Sequence, residues 1–183
     1  MHDDEMSMRQ WFALAVSPRF DQAVARTLEA NGYETFVPVY HKRRREETRA
    51  RDMGLPVFPG YVCCRFNVSD QPRVLMTPGV VQVLGEGNAP VALDQIEITS
   101  LQTAIRAQLR IEPFPFLQTG QRIRIEGGVL GGIEGIVMGF KEKLRLVLSV
   151  TLLQKSVLLE ITREQVAASV GSSIMNIGAA GGV

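Results

Sequence analysis

Histidine and cysteine are nearly missing from this chain, with two of each in 183 residues. His2 and His41 stand far apart, and no Cys/His spacing suits a metal ion. The cysteines, Cys63 and Cys64, are neighbours in "YVCCRF", an apolar run that reads as a strand. Successive strand side chains point to opposite faces, a vicinal disulfide is strained, and no second pair exists to build a framework. Two reduced packing thiols in a cytosolic protein are therefore expected. Long hydrophobic runs are also lacking: none approaches 18 apolar residues, so no membrane span is expected. "MHDDEMSMRQ" has neither the basic nor the apolar region of a secretory signal. Together these absences predict a cytoplasmic protein. The net charge is only +1, so any electrostatic function must come from an uneven distribution of charge.

Catalytic signatures are equally scarce. There is no P-loop lysine motif, and "GEGNAP" (85–90) has proline where a nucleotide fingerprint needs its third glycine. "GGVLGGIEG" (127–135) is flanked by strand-like runs and reads as barrel turns. Asp94 and Glu97 are explained by a capping role. The expectation is a protein that is not an enzyme and has no cofactor and no metal.

What is present is 45% hydrophobic and 21% charged, enough for one large or two small domains. "WFALAV" (11–16) reads as a central strand, and Ser17-Pro18 as an N-cap with proline at the first helical position. Phe20, Val24 and Leu28 follow at spacing four, with Ala23 and Ala30 on the same side, and Gly32 closes the helix with Tyr33 folded back. "ETFVPVY" (34–40) and "LPVFPGYVCCRF" (55–66) are strands separated by a long charged excursion, a hairpin with a projecting tip. A short helix over 69–79, a strand at 80–84 and an amphipathic helix marked by Ile98, Leu101, Ile105 and Leu109 complete a βαβ-βαβ-α order. This order predicts an α+β, ferredoxin-like arrangement. "RIEPFPFLQTG" (110–120) reads as an extended linker because Pro113 and Pro115 block a helix. Short glycine-punctuated runs beyond it predict a small β-barrel, followed by a small, glycine-rich tail that frays.

Two features could carry function. Lys42, Arg43, Arg44 and Arg45 are consecutive cations, with Arg49 and Arg51 nearby. A solvated hairpin tip explains such a run, and so does contact with a phosphate backbone. Phe58 and Tyr61 flank Pro59-Gly60 in "VFPGYV". They are either core residues or rigid aromatics left at a sheet edge, of the kind interfaces favour.

Several of these stretches, taken in order, resemble the NusG family of transcription elongation factors: "WFALAVSPRFDQAVARTLEANG", "FVPVY", "VFPGYVCCRF", "TPGVVQVLGEGNAPVAL" and "GQRIRIEGGVLGGIEGIVMGF". The resemblance spans roughly residues 10 to 167. It implies an NGN domain at 10–107, a linker at 108–119, an SH3-like KOW barrel at 120–167 and a flexible tail at 168–183. It also implies docking on the clamp helices of the largest RNA polymerase subunit through Trp11, Ala15, Phe58, Tyr61 and Val83. Upstream or non-template DNA would meet Arg19, Arg26 and the Lys42–Arg45 run. Leu152, Leu153 and Lys155 fall where family members contact a ribosomal small-subunit protein or Rho. Many members have Phe-Gly-Arg where this chain has Leu153-Gln154-Lys155. Together with the long basic hairpin, that departure points to a specialised, RfaH-like paralogue, an antiterminator of chosen operons; the protein is expected to be a monomer. The alternative is a KOW-type RNA-binding or ribosome-associated module, against which stands the NGN domain ahead of the barrel.

Overall fold

The structure is a computed structural model that describes residues 9–41, 54–87, 89–140, 143–162, 165 and 174–177. Contacts divide the chain into two compact units, 1–93 and 94–183.

The first unit contains β1 (Gln10–Val16), α1 (Asp21–Ala30), β2 (Glu34–Phe36), β3 (Val39–Tyr40), β4 (Leu55–Pro56), β5 (Tyr61–Phe66), α2 (Gln71–Leu75), β6 (Val80–Val83), β7 (Gly85–Glu86) and β8 (Ala89–Pro90). Four strands form an antiparallel sheet in the order β2-β5-β1-β6, with α1 and α2 in the two connections. This is the ferredoxin-like order that the element sequence predicts. Residues directly opposite each other share a face of a sheet, so the register sorts the side chains. Phe12 pairs with Cys64, and Leu14 with both Val62 and Val83. These residues face the core that also holds Val24, Ala25 and Leu28 of α1 and Val74 of α2. Phe12 and Phe66 lie 4.6 Å apart between ring centroids, and Tyr33 meets Phe66 edge-on at 6.5 Å.

Local chemistry explains most of these boundaries, with instructive exceptions. Gly32 has φ +85°, and the Tyr33 N–H donates to the Leu28 carbonyl at 3.0 Å, closing α1 as expected. The start differs. Ser17 to Phe20 form a turn, closed by Phe20 N–H to the Ser17 carbonyl at 3.0 Å, and α1 begins only at Asp21. Phe20 is therefore outside the helix and 48% exposed, while Ala25, not Ala23 or Ala30, fills the buried side. Pro38 splits the expected strand into β2 and β3. The stem of the predicted hairpin is present as the β3–β4 pair.

The second unit contains α3 (Gln95–Arg106), β9 (Arg110–Phe114), β10 (Arg122–Ile125), β11 (Glu134–Phe140), β12 (Lys143–Val150), β13 (Lys155–Thr162) and β14 (Ile174–Ile177). Its six strands are antiparallel, in the order β14-β10-β11-β12-β13-β9, and make the small SH3-like barrel. Ile123, Ile125, Leu146, Leu148, Val157, Leu159 and Ile161 are among its buried residues. Three expectations change here. The proline-rich stretch expected at 108–119 as a linker supplies β9, paired with β13 from Arg110↔Glu160 to Phe114↔Ser156. Pro113 is tolerated because β9 is an edge strand. Within the tail expected to be flexible, 174–177 pairs with β10. The helix expected to end the first domain is grouped by its contacts with the second unit, where α3 packs on β11 and β12.

Candidate functional site

The turn before β5 is built by four residues. Phe58 accepts the Tyr61 N–H at 3.1 Å, Pro59 occupies the second position, and Gly60 has φ +85°. This is a type II turn, whose third residue needs a positive φ. Both backbone groups of Gly60 are tied down: its carbonyl accepts the Val16 N–H at 2.9 Å, and its N–H donates to Asp21 Oδ1 at 2.6 Å. The turn thus hangs between the end of β1 and the start of α1.

The five residues expected as one docking patch separate on this scaffold. Tyr61 is half-buried and stands directly opposite Ala15, also half-buried, on the sheet face away from the α1 core. Gln82, exposed, pairs with Ala15 on the other side and extends that surface. Phe58 is only 2% exposed, and so is Trp11, which packs edge-on against Phe36 at 6.5 Å. Their rings belong to the interior, which corrects their assignment to a docking patch. Val83 is opposite Leu14 and packs against the α1 core, so it is not on the Tyr61 face either. The parity of β5 carried a usable signal. Arg65 shares a face with Tyr61, whereas Val62, Cys64 and Phe66 share the core face.

Cys63 and Cys64 are both buried free thiols, and burial pushes each up to about 12. They pack; they are not nucleophiles at neutral pH. Arg19 and Arg26 are exposed, Arg19 in the left-handed region at φ +69°. The Lys42–Arg45 run lies outside the described residues.

In the second unit the expected partner loop is a 3₁₀ turn, Thr151–Leu153, between β12 and β13. Leu153 is 5% exposed and fills the barrel, which corrects its assignment as a contact residue; Leu152 is half-buried and Lys155 exposed. Gln154 follows at φ +52°, where a β-carbon costs about 1–2 kcal/mol. Its side-chain amide donates to the Thr151 carbonyl at 2.8 Å, offsetting part of that cost. Glycine would fit this position without strain.

The loop is held by α3. Asp94 caps that helix, accepting from Ile96 N–H at 2.7 Å. Glu97 does not complete the reciprocal capping box. Its carboxylate accepts the Thr151 N–H at 3.0 and 3.2 Å and the Thr151 hydroxyl at 2.5 Å. Burial raises the Glu97 carboxyl above its usual range, although the Thr151 hydrogen bonds pull the other way. One turn on, buried Ser100 donates to the Gly132 carbonyl at 3.4 Å and accepts the Glu134 N–H at 3.0 Å. A small cleft beside these contacts is lined by Glu97, Ser100, Arg122 and Glu134. Among the described residues, no group of three or more His, Cys, Asp or Glu is placed to hold a metal.

A ferredoxin-like sheet followed by an SH3-like barrel defines the class: an NGN domain joined to a KOW domain. The family model described as "Transcription termination factor nusG" matches residues 9–102, and the chain belongs to the NusG family. Among solved structures it is similar to Thermotoga maritima NusG, in "Domain interaction in Thermotoga maritima NusG". The identity is 15%, with 94% of this chain and 99% of that chain covered and a TM-score of 0.52. It is also similar to a chain of the MjSpt4:Spt5 complex, at 16% identity, 91% and 97% coverage and a TM-score of 0.30. No curated protein sequence matches significantly. Membership makes the chain a transcription elongation factor of a family whose members are not enzymes. Among the described residues no helix is long and apolar enough to cross a membrane.

Proposed function

We propose that this elongation factor docks on the clamp helices of the largest RNA polymerase subunit through the corner formed by Tyr61 and Ala15, extended by Gln82. The observation that carries this reading is the pinned turn. It holds a half-buried tyrosine, an apolar ring with a polar tip, on a fixed strand end beside a small residue. A preformed contact of this kind favours the polymerase state that fits it, and binding shifts the enzyme toward that state. The exposed Arg19 and Arg26, with Lys42 to Arg45, face upstream or non-template DNA in this proposal. Leu152 and Lys155 serve as the barrel's contacts to a ribosomal small-subunit protein or Rho. The protein acts as a monomer in the cytoplasm, and its departure at Leu153-Gln154-Lys155 suits a specialised, RfaH-like antiterminator.

Binding of the full chain to core RNA polymerase tests the docking. Tyr61→Ser is expected to weaken it by about 2 kcal/mol, roughly thirtyfold, with little change in fold stability. Affinity within about threefold of wild type would reject the corner as the contact. Neutralising Lys42 to Arg45 is expected to reduce the log–log salt slope of DNA association by about 3.6, if each cation neutralises one phosphate. An unchanged slope would return the run to a solvated tip.

A further inference from the structure

We propose that Asp21 is the positioning residue of the docking corner, fixing where Tyr61 points; this rests on the docking reading above. A type II turn uses the carbonyl of its first residue and the N–H of its fourth, leaving the N–H of its third residue directed outward. Here that group is the Gly60 N–H, and Asp21 Oδ1 takes it at 2.6 Å across 39 residues of sequence. Asp21 is 4% exposed, so water does not readily substitute for the carboxylate. Its charge is accommodated because it sits in the first turn of α1, where the helix's free N–H groups favour a negative group. The helix has no side-chain cap of its own at Phe20, so this acid serves the distant turn instead of the nearest helix end.

The Gly60 carbonyl is held separately by the Val16 N–H, and Tyr61 is the next residue. With the peptides on both sides of the Gly60 α-carbon anchored, the direction in which β5 leaves the turn is set at its first residue. Without Asp21 the Pro59–Gly60 peptide loses its anchor and can turn, and only the Gly60–Tyr61 peptide stays held to β1, through the Val16 N–H. Tyr61 shifts first, because it is the end residue of the β1–β5 ladder, opposite Ala15, while the rest of β5 lies deeper within that ladder.

The test uses the full chain and core RNA polymerase. Asp21→Ser keeps a polar group that helix starts favour, but its oxygen is one bond too short to reach Gly60. Asp21→Asn keeps an acceptor of the same reach. Asp21→Ser is expected to weaken polymerase binding about tenfold or more at a temperature where it stays folded, with Asp21→Asn restoring it to within about threefold. The Gly60 amide resonance in ¹⁵N–¹H spectra should move upfield in Asp21→Ser and return toward wild type in Asp21→Asn. A merely stabilising role would change the unfolding midpoint without this paired shift and rescue. If Asp21→Ser binds as wild type while Tyr61→Ser is weakened, the positioning role is overturned and the docking reading stands. If Tyr61→Ser also binds as wild type, the docking reading itself falls, and this proposal with it.

Discussion

Two turns, one in each unit, are fastened by the same device. The Phe58–Tyr61 corner is held by Asp21 from the first turn of α1, and the Thr151–Leu153 loop by Glu97 from the first turn of α3. In both, a carboxylate near a helix start accepts backbone N–H groups from a turn tens of residues away. The difference is in what is accepted and how deeply. Asp21 is almost fully buried and takes one N–H that the turn geometry leaves over. Glu97 is half-buried and takes the N–H and the hydroxyl of one exposed threonine. In the corner, removing the acid leaves a part-buried donor without its partner. In the loop, water can replace it. The first clasp is expected to govern geometry, the second to tune stability.

The largest effect should come from the aromatic that is interior, not from the one at the surface. Phe58→Ala is expected to destabilise the first unit by about 3–5 kcal/mol, read by chemical denaturation, against under about 1 kcal/mol for Tyr61→Ser. Equal losses would contradict the division of the two rings. Leu153→Ala should cost about 2–4 kcal/mol in the second unit, and Leu152→Ala clearly less, which a denaturant midpoint series would resolve. Glu97→Ala is expected to cost about 0.5–1.5 kcal/mol, whereas Glu97→Gln keeps an acceptor for Thr151 and should be near neutral.

The smallest effect is on pH dependence. Because the folded Glu97 carboxyl is raised, mainly by burial, the protonated form is favoured in the native state. Its contribution is therefore fully present below the ordinary glutamate value and is lost as pH rises through the raised one. The second unit should lose a little stability as pH rises from the ordinary glutamate range through the raised one, and Glu97→Gln should remove that part of the slope. A slope of opposite sign attributable to Glu97 would mean that the Thr151 hydrogen bonds outweigh burial.

Much of the first unit was legible in the sequence. Val24 and Leu28 lie on the apolar stripe of α1, Gly32 ends it, and the strand and helix order yields the sheet order. The arrangement of the five residues expected as a docking patch was legible only in part. Tyr61 and Ala15 do meet, but Phe58 and Val83 are placed by turn geometry and register, which no local pattern expresses. Asp21 and Glu97 were hidden for another reason. An acid in the first turn of a helix already has a sufficient local explanation, so its distant partner leaves no trace in the sequence. β9 was obscured by Pro113, whose meaning depends on whether a strand lies at an edge.

By itself the amino-acid sequence determined most elements of the first unit, their order and the family, because periodicity, caps and glycine positions act over a few residues. Only the tertiary structure decided which aromatic is interior, which face each strand residue joins and which turns the two carboxylates hold. Those outcomes depend on strand register and on pairings across 39 and 54 residues, where free energy is gained only once the chain has closed on itself.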